Sequence, residues 1–136
     1  MDFAVRRAID ESKLIEGPLT KEIIGAAIEV HCHLGPGLLE SAYEICLCHE
    51  LADRGLAFRR QVDVPVRYKG VALDCGYKID ILVEDKVILE LKALEAILPV
   101  HEAQLLTYLK LSGKRVGFLM NFHVPRMSLG ILRKVL

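Results

Sequence analysis

Apolar residues recur at helical spacing over Thr20–His33, where Ile23, Ile24, Ala27, Ile28 and Val30 define one face, and Thr20 after Gly17-Pro18 is the expected N-cap. Leu34-Gly-Pro-Gly37 interrupts that pattern. A second helix is expected from about Leu38 to Arg54, with Leu39, Ala42, Tyr43, Cys46, Leu47 and Leu51 inward and Gly55 closing it. Over Phe58–Tyr68 the pattern changes to period two: Val62, Val64 and Val66 alternate with Arg59, Gln61, Asp63 and Arg67, which predicts a strand. Lys69-Gly70 reads as a turn, and Val71–Val83 as a second strand bent near Gly76. Val87–Lys92 is a third strand, Pro99 opens a helix carrying Leu105, Leu106 and Leu109 that stops at Gly113, and Val116–Asn121 is a short buried strand. Ser128–Val135 fits either a last strand or a terminal helix. Helix, helix, three strands, helix, strand, with no repeat or linker, predicts a single α/β domain over 1–136 with a mixed sheet between helices.

Composition supports a folded core and excludes several classes. A hydrophobic content of 52% with 26% charged residues argues against disorder, and no apolar run is long enough to span a bilayer. The N-terminus, with Asp2, Arg6, Arg7, Asp10 and Glu11, lacks the apolar block of a signal peptide, so a cytoplasmic location is expected. Cys32, Cys46, Cys48 and Cys75 show no CxxC spacing and lie in apolar segments, as reduced, buried thiols would. His31-Cys32-His33 and Cys46-Leu-Cys48-His49 bring zinc ligands close in sequence, but neighbours at i+1 and i+2 on a helix point apart, so neither presents a paired set. The net charge is zero, which predicts weak nonspecific nucleic-acid binding by a monomer. Its distribution is uneven, since residues 101–136 hold 6 basic residues (Lys110, Lys114, Arg115, Arg126, Arg133 and Lys134) against 1 acidic. That surface suits a phosphate backbone or ordinary solvation, and a homodimer would enlarge it.

The chemistry concentrates in Asp80-Ile-Leu-Val-Glu-Asp-Lys-Val-Ile-Leu-Glu90-Leu-Lys92. If Ile79–Val83 and Val87–Lys92 form a hairpin around Glu84, Asp85 and Lys86, Asp80 falls opposite Glu90, and Lys92 joins the two acids on one face. Carboxylates held at about 5 Å repel unless a cation compensates, and a divalent metal with Lys92 beside it is the simplest compensation. The bland alternative is a solvated hairpin face. Both faces of these strands are otherwise apolar (Ile81, Val83, Val87, Leu89 and Leu91 on one, Ile79, Leu82 and Ile88 on the other), which argues against mere solvent decoration.

Two helical clusters accompany the hairpin. Glu40 begins the second helix, with Tyr43, Glu44 and Leu47 on its face; a first-turn glutamate also favours the helix dipole without any further role. His101, Gln104 and Tyr108 form one stripe of the later helix, either facing a cleft or simply completing an amphipathic surface.

Gly37-Leu-Leu-Glu40-Ser-Ala-Tyr43 resembles the signature of the GxxExxY protein family of the PD-(D/E)XK nuclease superfamily. Asp80 with Glu90-Leu-Lys92 is similar to that superfamily's D…ExK core, and Gln104-Leu-Leu-Thr-Tyr108 to the QxxxY motif of its RecB-like nucleases. The resemblance runs from about Thr20 to Phe122. It implies a restriction-endonuclease-like α/β fold, a mixed sheet flanked by helices in the order α-βββ-α-β with an extra N-terminal helix. It also implies phosphodiester hydrolysis, DNA being the leading substrate and RNA open, dependent on Mg²⁺ or Mn²⁺. Asp80, Glu90, the Leu91 carbonyl and Glu40 would be metal ligands, Lys92 would orient or deprotonate the attacking water, and Gln104 and Tyr108 would position Lys92, water or phosphate. Ile79 stands where the superfamily's namesake proline is found. The competing reading is a module that binds nucleic acid or protein without cutting.

Overall fold

Residues 15–136 are described in the computed structural model; the charged positions Asp2, Arg6, Arg7, Asp10 and Glu11, on which the signal-peptide reading rests, lie outside them. The first helix, α1, spans Gly17–Leu34. It starts a turn earlier than its sequence suggests, because Pro18 fits the first turn, where its missing N–H goes unneeded. Thr20 is therefore not a cap: it is buried inside the helix and its hydroxyl donates to the Gly17 carbonyl at 3.1 Å. The second helix, α2, is Glu40–Asp53. Leu39 lies just outside it at 77% exposure, so the expectation that Leu39 packs inward fails, while Tyr43, Leu47 and Leu51 are fully buried.

The long strand expected over Phe58–Tyr68 is two. Strand β1 is Phe58–Asp63, and β2, Val66–Tyr68, pairs instead with β3, Val71–Leu73, as a separate two-stranded ribbon. Pro65 lacks the amide that would carry a ladder through the junction. Asp74–Tyr77 then leads into β4, Lys78–Val83, which turns through Glu84 and Asp85, both at positive φ, into β5, Val87–Lys92. The third helix, α3, is Pro99–Ser112, ending at left-handed Gly113. Strand β6 is Val116–Asn121 and β7 is Ile131–Val135, so the C-terminal segment is a strand after a short 3₁₀ turn at Met127–Leu129.

The main sheet runs β1-β4-β5-β6-β7, with β5 and β6 parallel and every other pair antiparallel. The core therefore has the α-βββ-α-β order, with α1 as the extra N-terminal helix and the β2–β3 ribbon as an insertion. Both central strands are buried on both faces, as expected of strands sandwiched by helices. On one face α1 and α2 bring Ile23, Tyr43 and Leu47 against Ile81, Leu89 and Phe118; on the other α3 brings Leu105, Tyr108 and Leu109 against Leu82, Ile88 and Leu119. Gly117 permits the second contact, since a Cβ there would lie 2.9 Å from the Leu105 side chain and 3.1 Å from the Ile88 carbonyl.

Burial of the thiols is only partly as expected: Cys48 is buried and Cys46 half-buried, but Cys32 and Cys75 are exposed on surface positions their apolar neighbours do not reveal. The basic C-terminal third is also partly spent internally. Lys114 meets Asp85 at 3.3 Å, Lys134 meets Glu102 at 2.8 Å, and Arg133 reaches Thr20 and the Ile15 carbonyl. No helix among the described residues is long and apolar enough to cross a membrane.

Candidate active site at the open end of the hairpin

The β4–β5 ladder pairs Val83 with Val87, Leu82 with Ile88 and Ile81 with Leu89; Asp80 and Glu90 come next in that register. Here the ladder stops being backbone to backbone. The Asp80 amide donates to Glu90 Oε1 at 3.2 Å, and the Leu91 amide donates to Asp80 Oδ2 at 2.8 Å. Two carboxylates replace two carbonyls as acceptors, so the strands open while their amides stay satisfied.

The same point is irregular on the other side of β4. Strand β1 pairs with β4 in continuous register except where Gln61 faces Asp80, and Gln61 has φ 50°. Strict alternation fails across this point: Ile81 packs on the α1/α2 face, yet Ile79, two residues earlier, packs on the α3 face. In β1, likewise, Phe58 packs on the first face and Val62 on the second. Both strands thus roll over at the 61–80 position. This corrects the simple period-two expectation for the acidic trio. Glu90 alternates with Leu89 and Leu91, which places it with Lys92 on the α3 side, while Asp80 lines a cavity of about 200 Å³ with Glu40, Ser41, Glu44, Gln61 and Leu91.

The electrostatics follow from burial without a close counter-charge. Desolvation, reinforced by the Asp80 charge, pushes the Glu90 carboxyl up to about 8. Burial also raises Asp80, against the lowering effect of its hydrogen bond from Leu91. Lys92 lowers both, and among the described residues no hydrogen bond or ion pair occupies its ammonium. No buried side-chain oxygen among the described residues lacks a partner, so the oxygens of Asp80 and Glu90 that accept no hydrogen bond open to solvent.

The remaining residues fall into two groups. Glu40, exposed at the start of α2, accepts from the Ala93 amide at 3.2 Å and so sits just beyond the end of β5. Tyr43 serves the scaffold: its hydroxyl donates to the Gly35 carbonyl at 2.6 Å, accepts from the Leu38 amide, and its ring stacks on Phe122 at 4.5 Å. On α3, Gln104 Nε2 donates to the Tyr108 hydroxyl at 3.0 Å, and Tyr108, raised mainly by burial, also feels the charges of Glu90 and Asp80. Gln104 and Tyr108 line a separate groove and do not enter the acidic cavity.

The structure gives roles to residues that the sequence left without one. Glu44, buried one turn after Glu40, is held by Arg60 at 2.5 Å and by Gln61 Nε2 at 2.8 Å. Its spacing of four from Glu40 was the available signal. That consecutive residues Arg60 and Gln61 reach one carboxylate follows from the left-handed backbone at Gln61, which no pattern announces. Asn121, buried at the end of β6, accepts from the Leu94 and His123 amides and donates to the Leu94 carbonyl, fixing the chain just past Lys92.

Asp80, Glu90 and the Leu91 carbonyl offer hard oxygen donors, and an open carboxylate pair short of positive charge suits a cation such as Mg²⁺, which takes one or two carboxylates and completes its shell with water and phosphate. Among the described residues no group of three or more His, Cys, Asp or Glu side chains gathers as a metal cage, either at the His31–His33 and Cys46–His49 clusters or around Asp80 and Glu90. The family model describing the PD-(D/E)XK nuclease superfamily matches residues 17–134. No curated protein and no solved structure matches the chain.

Proposed function

Because the chain belongs to the PD-(D/E)XK nuclease superfamily, we propose that it is a divalent-metal-dependent nuclease of the GxxExxY type, hydrolysing phosphodiester bonds in DNA. The observation that carries this reading is the open hairpin end, where the Asp80 and Glu90 carboxyls accept from amides across the strand pair and both are raised by burial, with Lys92 as the cation whose charge lowers them. Asp80, Glu90 and the Leu91 carbonyl would hold Mg²⁺ or Mn²⁺, with Glu40 as a further carboxylate on that side. The ion, when bound, supplies positive charge that activates water and neutralises the phosphoryl oxygens.

The chain's own groups do the rest. Lys92 holds the attacking water and steadies negative charge as the water oxygen bonds to phosphorus and the bond to the leaving oxygen breaks. Gln104 and Tyr108, hydrogen-bonded to each other in the adjoining groove, would position Lys92, the water or the phosphate from the α3 side. Glu44, charge-paired with Arg60 and hydrogen-bonded by Gln61, supports the cavity wall behind Asp80.

A second reading, a nucleic-acid- or protein-binding module that does not cut, draws on the engagement of Glu40 and Glu44 by protein donors. Labelled single- and double-stranded DNA incubated with Mg²⁺ or Mn²⁺ separates the two. The nuclease reading expects cleavage that disappears in Asp80→Ala and Lys92→Ala; cleavage that survives either change removes the mechanism, and salt-sensitive, metal-independent binding without cleavage favours the second.

A further inference from the structure

Beside the acidic centre, between α3 and the segment joining the ribbon to β4, lies a groove of about 560 Å³ walled by Val66, Tyr77, Val100, Gln104, Thr107 and Tyr108. Its lining contains no Asp, Glu, Lys or Arg; it does contain His101, whose Nδ1 accepts from the Leu98 amide at 2.9 Å. Tyr77 is 46% exposed although its ring packs edge-on against Tyr108 at 6.1 Å, so an aromatic surface is held in place and left open. Gln104 and Thr107 put amide and hydroxyl groups along the same wall. Tyr108 joins the groove to the hairpin, since it lines the former and packs in one cluster with Ile88 of β5, two residues before Glu90, whose charge it feels.

From this arrangement we propose that the groove is a nucleobase subsite, in which a base of the bound strand stacks on Tyr77 while its phosphate lies at the Asp80–Glu90–Lys92 centre; this rests on the nuclease reading above. A slot without lysine or arginine next to a charged one sorts a nucleotide by its parts. The groove offers a phosphate no fixed cation, whereas a base presents a π-face to tyrosine and polar edges to an amide and a hydroxyl. Volume agrees, as the groove falls within the usual range for small-ligand sites of roughly 300–1,000 Å³. A base in a duplex is already stacked on both sides, so the subsite selects single-stranded or frayed substrate.

The test measures binding of a fluorescent single-stranded oligonucleotide, and of an equally long strand whose sugars are abasic, to full-length protein with Ca²⁺, alongside cleavage with Mg²⁺. Tyr77→Ala is expected to weaken binding of the normal strand by roughly 5- to 100-fold, to leave the abasic strand unaffected, and to lower cleavage of single strands. Tyr77→Phe, which keeps the ring and packing, is expected to restore wild-type behaviour. Tyr68→Ala, on the exposed ribbon outside the groove, is expected to change nothing. Equal losses on normal and abasic strands, or none on either, overturn the base subsite; if Asp80-dependent cleavage persists in that case, the nuclease reading stands without it. A wild-type protein that neither binds nor cuts any strand overturns both.

Discussion

The two ends of the β4–β5 hairpin carry similar residues in opposite electrostatic states. At the turn, Asp85 is exposed and meets Lys114 at 3.3 Å and Arg59 at 3.0 Å, and these cations hold its carboxyl below the ordinary aspartate range. At the open end, Glu90 is buried, the Asp80 charge raises it by more than the Lys92 charge lowers it, and its carboxyl is pushed up to about 8. The turn end uses its acid to tie β4–β5 to β1 and to the residues just past α3. At the open end no such partner offsets the desolvation of Glu90, a cost that the cation of the proposed function would relieve.

The largest effect should separate the ends by activity. Asp80→Ala or Lys92→Ala is expected to lower Mg²⁺-dependent cleavage by at least about 10²-fold, whereas Asp85→Ala should leave the rate of labelled-DNA cleavage unchanged. Next in size, Glu90→Gln keeps the acceptor oxygen for the Asp80 amide and removes the buried charge. It should stabilise the metal-free protein by about 1–3 kcal/mol at pH 8 while abolishing cleavage, so urea melts and activity move in opposite directions.

The pH response should sharpen the contrast. In the folded chain Glu90 titrates near 8, against 4.5 for its ordinary value. Between these values the folded state holds a proton that the unfolded state releases, so the contribution of Glu90 is fully present below 4.5 and is lost as pH rises through 8. Thermal melts in a chelator should therefore fall over that window, more steeply in wild type than in Glu90→Gln. Adding Mg²⁺ at pH 8 should raise the wild-type melting temperature, because the ion binds the folded state only; an equal rise in Asp80→Asn would mean that the ion binds elsewhere. The smallest effect belongs to the turn. Asp85→Asn should lower the melting temperature slightly, and added salt should erase the difference, since its partners are exposed.

Much of this was legible along the chain. The hairpin register follows from the three residues Glu84, Asp85 and Lys86 between two apolar runs, and α3 from Pro99 at its start and Gly113 at its end, because turn chemistry and periodicity are local properties. Local rules also gave the residue types of the acidic centre and their opposition across the hairpin. They failed where a distant segment decides the conformation. The roll of β1 and β4 at Gln61 and Asp80 depends on α2, whose Glu44 captures Arg60 and Gln61 together, and nothing within either strand encodes it. Sequence alone determined which groups can ionise and which strand they share; only tertiary packing decided that Asp85 would find cations while Glu90 would be desolvated beside Asp80, because burial and counter-charge are set by residues far away in the chain.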